Sequence, residues 1–431
     1  MKRIIETLIA DFQERTLPAV FPRATEFPVL EGKATAVIGM RRAGKTYYCY
    51  QQIHRLLSEG VPKEQILYLN FEDDRLLGFA LADFQTVLDL FYGLNPELKS
   101  RTCYFFLDEI QVVPQWEKFI RRVLDTESIQ VCLTGSSSKM LSSEIATSLR
   151  GRSISVEIFP YSFDEYLRAK GVFKEIPHQR SSKTEAYLRH EIREYFESGG
   201  FPEVMKCGKT DRVGVLQNYV DTVMFKDVIE RHGVKNPVVI RHLIQQVMSQ
   251  PGSLFSVNKF YNSMRSQSIS CTKNHLYDYI NHLTEAFLFF KVPVHSRSPR
   301  VQMGKPDKIY CIDSGLLNVM TYRNFENAGP ILETLVFLAL RRKGVHIEYF
   351  LSDQGNECDF LFKDPLNKQK HLVQVCWELS EEKTRRREWK GLQLAMKSLG
   401  IDTGTIVTWD TEEEMQDGVR VVPLWKWLLE S

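Results

Sequence analysis

The residues with the clearest chemical signature form one run, Gly39-Met40-Arg41-Arg42-Ala43-Gly44-Lys45-Thr46. An apolar stretch, Ala34-Thr-Ala-Val-Ile38, precedes it, and a segment with helical spacing, YYCYQQIHRLL, follows. This is G-x-x-x-x-G-K-[ST] between a strand and a helix, the setting in which that pattern cradles phosphate. Gly39 and Gly44 let the backbone close around phosphate oxygens, whose charge meets N–H groups at a helix start. The pattern assigns Lys45 to the β- and γ-phosphates and the Thr46 hydroxyl to Mg²⁺. A second signal is Tyr104-Phe-Phe-Leu-Asp108-Glu109-Ile110, an apolar strand ending in two acids. Paired acids there are costly unless a cation or another partner compensates them. Asp108 is placed to hold Mg²⁺, directly or through water, and Glu109 to polarise a water attacking the γ-phosphate.

Positioning these groups requires a sheet. Besides residues 34–40 and 104–110, the runs ILYLNFE (66–72), VCLTGSS (131–137) and SISVEIF (153–159) read as strands. Trp116, Phe119, Ile120, Val123 and Leu124 recur at helical spacing between two of them. Alternating strands and helices predict a parallel sheet covered on both faces, with its ligand at the carboxyl ends of the strands. The fold class expected for the first part is therefore an α/β nucleotide-binding sheet.

The motifs G-M-R-R-A-G-K-T, L-D-E-I-Q and T-G-S-S-S, with L-R-G-R (149–152) and F-P-Y-S-F-D-E-Y-L (159–167), resemble those of the prokaryotic archaeal-type AAA-like P-loop ATPases. The resemblance implies ATP and Mg²⁺ as ligands, and no guanine-specific N-K-x-D pattern is visible. It implies a nucleotide-sensing polar residue after the fourth strand, with Ser136 preferred and Ser137 next. It also raises Arg150 and Arg152 as groups that reach a γ-phosphate, in cis or from a neighbouring subunit. Arg41 and Arg42 lie inside the loop and could touch phosphate, with surface ion pairing as the default; Gln111 is a candidate for orienting water.

The remaining chain divides, on this reading, into an ATPase domain (1–165), a helical connection (166–250), a winged-helix module (251–325) and a small α/β domain (326–431). In the module, SVNKFYNSMRSQSI and CTKNHLYDYINHLTEA read as helices, with Leu276, Ile280, Leu283 and Phe287 on one stripe. Two extended segments joined by a basic loop follow, an order shared with DNA-reading winged helices. From Lys259 to Lys308 there are eight Lys/Arg against three acids, 8 − 3 = +5. Lys273, Tyr277 and Asn281 lie off the apolar stripe and could face a groove of duplex DNA, while Arg297, Arg300 and Lys305 could hold its phosphates; a protein partner is the alternative. The last hundred residues resemble restriction-endonuclease-like domains, with Glu333 and Asp359 at two metal-ligand positions. The third position reads Gln374-Val375-Cys376 where the family has Glu-x-Lys. Such a pocket lacks one carboxylate and one cation, which predicts a catalytically dead scaffold.

Composition bounds these readings. The 431 residues are 43% hydrophobic and 26% charged, enough for several cores, and Lys+Arg 56 against Asp+Glu 54 excludes a polybasic coat protein. No apolar run approaches the roughly 20 residues of a membrane helix, and Glu6 and Asp11 interrupt any leader-like stretch, so a cytoplasmic location is expected. The eight cysteines form no C-x-x-C pair and read as reduced thiols. The function expected is Mg²⁺-dependent ATP hydrolysis coupled to C-terminal DNA- or protein-binding modules, in a chain that could work as an oligomer. The alternatives are an ATP-gated switch with little turnover and an ATP-dependent nuclease.

Overall fold

Ala34–Ile38 (β1) is a five-residue run of small and β-branched residues, and every one of its side chains is buried. That burial is what a central strand with both faces covered requires. In the computed structural model, which describes residues 1–135, 149–173, 181–321 and 328–430, β1 is joined by Ile66–Asn70 (β2), Cys103–Asp108 (β3), Ile129–Gly135 (β4) and Ser153–Glu157 (β5). All pairings are parallel and the order is β2-β3-β4-β1-β5. Helices α1 (Lys2–Glu14), α2 (Lys45–Ser58), α3 (Asp83–Leu94) and α4 (Trp116–Thr126) belong to the same compact unit, Met1–Phe159. Each buries an apolar stripe: Ile5, Ile9 and Phe12 on α1, and Trp116, Phe119, Ile120 and Val123 on α4. Because β4 lies between β1 and β3, the strands that end in the glycine-rich loop and in the acid pair flank one common neighbour.

The second compact unit is Pro160–Ser431. It begins with helices, among them Ser182–Ser198, Lys209–Thr222 and Pro237–Ser249, with a π-helical stretch at Val223–Glu230. Helices Val257–Ser266 and Lys273–Glu285 follow, then the antiparallel pair Phe289–Val292 (β6) and Lys308–Cys311 (β7). Leu276, Ile280, Leu283 and Phe287 are buried together with this pair. The segment joining β6 to β7, expected to be a basic loop, contains a short helix at Pro299–Gly304, with Pro299 pre-set for its first turn. A mixed six-stranded sheet ends the chain: Ile347–Leu351 (β8), Glu357–Lys363 (β9), Lys370–Val375 (β10), Gly404–Thr408 (β11), Glu413–Gln416 (β12) and Val419–Pro423 (β13). Its order is β12-β13-β11-β10-β9-β8, with helices Gly329–Arg342 and Glu382–Leu399 packed on it. All eight cysteines are free. Among the described residues no helix is long and apolar enough to cross a membrane.

Within this unit Asp313 fixes a crowded corner. Its Oδ1 accepts the Leu316 N–H at 3.2 Å and caps helix Ser314–Met320, while its Oδ2 accepts the Gly200 N–H at 2.7 Å. Gly199, at φ 72°, leaves no room for a β-carbon: one would lie 2.0 Å from Asp313 Oδ1. Burial pushes the Asp313 carboxyl up to about 6 from its ordinary 3.8, against the opposing pull of those backbone donors. The folded state therefore favours the protonated form, so this contribution to stability is full below pH 3.8 and lost as pH rises through about 6. We expect urea unfolding of the wild type to show a component falling by on the order of 3 kcal/mol over that window. It should be missing from Asp313→Asn; parallel pH profiles for the two proteins would show that Asp313 ionises freely in the fold.

Candidate functional site

The glycine-rich loop leaves the carboxyl end of β1 with a backbone that only glycine accepts at two points. Gly39 has φ 145°, and a β-carbon there would lie 2.2 Å from the Ile158 carbonyl oxygen; Gly44 has φ 104°. The loop then feeds α2, whose first residue is Lys45. The Lys45 ammonium is 5% exposed and donates to the carbonyls of Gly39 (3.2 Å) and Met40 (3.3 Å), so it crosses back over the loop it belongs to. Met40 and Ala43 are buried beneath the loop. Arg41 turns outward to Glu72 at 3.0 Å, and Arg42 is exposed at φ 66°.

Opposite the loop, β3 ends in Asp108, which is 1% exposed. Three hydroxyls point at it. Thr46 (2.8 Å) and Tyr68 (2.7 Å) donate to Oδ2, and Thr134 donates to Oδ1. Burial raises the Asp108 carboxyl above the ordinary range, against the lowering effect of these hydrogen bonds. None of the three donors carries charge, so these hydrogen bonds fix the carboxylate without neutralising it. Thr46 Oγ1 and Asp108 Oδ2 are 2.8 Å apart, and adjacent oxygens on an octahedral Mg²⁺ with bonds of about 2.1 Å lie about 3 Å apart. The oxygen pair therefore fits that ion.

Glu109 follows at φ 53°, a strained value for a residue with a side chain, and the sharp turn swings its carboxylate out of the strand. It is 8% exposed. Its Oε1 lies 3.6 Å from the Lys45 ammonium, and its Oε2 accepts from the Gln111 amide. Its N–H donates to Thr134 Oγ1 at 2.9 Å. Thr134 thus bridges the two acids: its hydroxyl accepts from one and donates to the other. Lys45, Thr46, Asp108 and Glu109 come together at one sheet edge.

Ser136 and Ser137 lie outside the described residues. Thr134, in the same segment, is the described hydroxyl that meets the acids, and Tyr68 is a second contact that the sequence reading passed over. The available signals were a threonine directly before the glycine that ends β4, and a tyrosine among the aliphatic residues of β2. Arg150 and Arg152 need a correction. The Arg152 carbonyl accepts the Ala34 N–H at 2.9 Å, and Ala34 pairs with Ser153. Both arginines therefore sit at the amino edge of the sheet, roughly 15 Å of strand away from the loop. The Arg152 guanidinium pairs there with Asp125. A role in cis on a phosphate held by the same chain is excluded by that register.

In the second unit the endonuclease-like residues are brought together with two that the sequence reading did not include. Lys308 donates to Asp359 Oδ1 (2.8 Å) and Glu333 Oε1 (3.0 Å) and forms an ion pair with Glu357 Oε1 at 2.5 Å. The pocket therefore has the third carboxylate and the cation that Gln374 and Cys376 do not supply. Gln374 instead spans Glu388 Oε2 (2.7 Å) and the Asp359 N–H (3.2 Å), and the Cys376 thiol donates to the Glu378 carbonyl at 3.1 Å. Elsewhere His232, His282 and Glu285 bring three metal-type donor atoms within 4.8 Å of one another. The two imidazoles, however, stack with centroids 3.6 Å apart at 14°. Parallel planes cannot both direct in-plane lone pairs at one ion.

A family model described as "AAA domain" matches residues 31–167, and a domain of unknown function matches 189–327. The uncharacterised protein MJ1544 of Methanocaldococcus jannaschii is 33% identical over 442 residues, 99% of this chain and 96% of its own length. An uncharacterised Haemophilus influenzae protein is 28% identical over 394 residues, 91% of this chain and 94% of its own. Among solved structures, the Aeropyrum pernix ORC1 protein in complex with DNA aligns over 75% of this chain and 92% of its own, at 12% identity and a TM-score of 0.29. AMPPCP-bound DnaA from Aquifex aeolicus aligns over 66% and 86%, at 13% and 0.24.

The Thr134 bridge yields a stability prediction. Thr134→Val keeps the shape and removes the hydroxyl, leaving a carboxylate oxygen and the Glu109 N–H short of a buried partner. The cost should be about 1–3 kcal/mol by chemical denaturation, and Thr134→Ser should recover much of it. Equal stability of the valine variant and wild type would mean that the hydroxyl bridges nothing in solution.

Proposed function

This chain belongs to the family of AAA-domain proteins that includes MJ1544 of Methanocaldococcus jannaschii, and we propose that it is a Mg²⁺-dependent ATPase. The observation that carries the reading is the placement of Glu109. It is a carboxylate turned out of the sheet, 3.6 Å from the lysine of a phosphate loop and braced by Gln111. A protein that only senses nucleotide has no use for a second acid there, which favours turnover over a pure switch.

The roles follow from the geometry. Backbone N–H groups from Gly39 to Thr46 hold the phosphates, and Lys45 exchanges its two loop carbonyls for β- and γ-phosphate oxygens. Thr46 and Asp108 would hold Mg²⁺, which supplies charge neutralisation to the phosphates when bound. Asp108 stays in place through Tyr68 and Thr134 once the Thr46 hydroxyl turns to the ion. Glu109 takes the proton of a water aligned with the γ-phosphate, and Gln111 keeps the carboxylate oriented. Thr134 is a positioning residue, since it acts through both acids.

Two results test this assignment. Lys45→Ala should lose nucleotide affinity, because its contact is made in the ground state. Glu109→Gln should bind nucleotide as wild type and lose turnover by about 10²–10⁴, because its contribution is to the chemical step. Equilibrium binding beside single-turnover hydrolysis separates them, and undiminished hydrolysis in Glu109→Gln would remove the acid from the mechanism.

For the partner, the same reading takes duplex DNA at the paired-strand module. Lys273, Arg297, Arg300 and Lys305 are all exposed, and Tyr277 and Asn281 lie one and two turns along the helix from Lys273. Binding through phosphates should weaken by roughly 0.9 log units per released counterion for each tenfold rise in salt. Replacing Arg297, Arg300 and Lys305 together should flatten that slope with little effect on sequence preference, as read by fluorescence anisotropy. Binding that ignores salt would make the module a protein-interaction surface.

A further inference from the structure

At the start of β7 a buried ammonium lies within ion-pair distance of three carboxylates. The Lys308 side chain is 3% exposed; those of Asp359, Glu333 and Glu357 are 9%, 16% and 33% exposed. Lys308 opens β7, Glu333 lies on helix Gly329–Arg342, and Glu357 and Asp359 point to one side of β9 as residues i and i+2. We propose that the Lys308 ammonium is the resident cation of this pocket, occupying the position a divalent metal would take and clamping the β6–β7 hairpin to the terminal α/β sheet.

Four observations carry this. First, the ammonium lies within ion-pair distance of all three carboxylates and hydrogen-bonds two of them, Asp359 and Glu333. Second, the acids are spread around the ammonium. Glu333 comes from helix Gly329–Arg342 and Glu357 and Asp359 from β9, and the ammonium is within ion-pair distance of all three. Third, the acid oxygens are already committed. Asp359 Oδ2 accepts the Val375 N–H at 2.9 Å, and Glu333 Oε1 also accepts the Tyr310 hydroxyl at 2.6 Å. Gly252 closes over that carboxylate, where a β-carbon would lie 3.0 Å from Glu333 Oε1. Fourth, the ammonium is 3% exposed and the Asp359 side chain 9%, so little of the pocket is open to an ion from solution.

The hairpin is tied at other points as well. Val294 bridges to Tyr349 of β8, and the Tyr349 hydroxyl donates to the Pro306 carbonyl at 2.8 Å. The pocket is therefore a joint between two parts of one unit. As a phosphodiester-cleaving metal centre it is closed, for a reason independent of Gln374 and Cys376.

The test counts Mn²⁺ by electron paramagnetic resonance on nucleotide-free full-length protein, and its outcome does not depend on the ATPase assignment. Wild type and Glu357→Gln should bind the same number of Mn²⁺ ions with the same affinities, because the acid is already occupied by the ammonium. Lys308→Met should gain one Mn²⁺ site, at least tenfold tighter than any in wild type, and the gain should vanish in Lys308→Met/Asp359→Asn. A wild-type Mn²⁺ site that Glu357→Gln or Asp359→Asn abolishes would overturn the proposal, making the pocket a metal centre with Lys308 as accessory. So would a folded Lys308→Met that gains nothing. If Lys308→Met does not fold, the comparison of wild type with Glu357→Gln still decides.

Discussion

A carboxylate taken out of water must be compensated, and this chain does so in two opposite ways. Around Asp108 the donors are three neutral hydroxyls, from Thr46, Tyr68 and Thr134. They fix the geometry and leave the charge standing, which prepares a place for a cation from solution. Around Asp359 the donor is an ammonium of the protein itself, and the charge is cancelled in place. The first arrangement is an open site and the second a closed one. What separates them is whether the nearest donor carries charge, since both have a buried acid ending or lining a strand.

The open site depends on the strand order. With β4 between β1 and β3, Thr134 stands beside Val37 in register, and Leu133 beside Leu107. The loop and the acid pair are thereby held two strand spacings apart, about 9–10 Å, a gap suited to phosphate and Mg²⁺. Thr134, fully buried in that middle strand, bonds to both acids. The left-handed turn at Glu109 completes the arrangement, because a strand continuing straight would direct Glu109 away from Asp108 and the loop.

What could be read beforehand followed the range of the interactions. The glycine-rich loop, the Asp108–Glu109 pair and the alternation of strands with helices are local patterns, and they sufficed for the α/β architecture of the first unit. Tyr68 escaped notice because its partner is 40 residues away and only the β2–β3 register unites them. Arg150 and Arg152 were read near the loop in chain terms, yet a parallel strand must return to the starting edge before it begins, and that return carries them to the far end. Lys308 was the least legible. It precedes Asp359 by 51 residues, and nothing in DKIYCID distinguishes an inward lysine from a solvated one.

That lysine also alters the charge on the hairpin module. The excess over residues 259–308 was eight basic groups against three acids, +5. Lys308 spends its charge inside the carboxylate pocket, so seven against three, +4, remain for any external anion. Lys291 is further discounted: burial lowers its pKa, and its ammonium is bound to Asn281 Oδ1 at 2.6 Å. The charge left for a partner is therefore carried by exposed groups at the edge of the module, with Lys273 at the helix start and Arg297, Arg300 and Lys305 in the connection between β6 and β7. On the duplex reading proposed above, a few exposed cations beside one exposed helix face suit phosphate contacts that position the duplex better than bidentate reading of bases, which needs braced side chains.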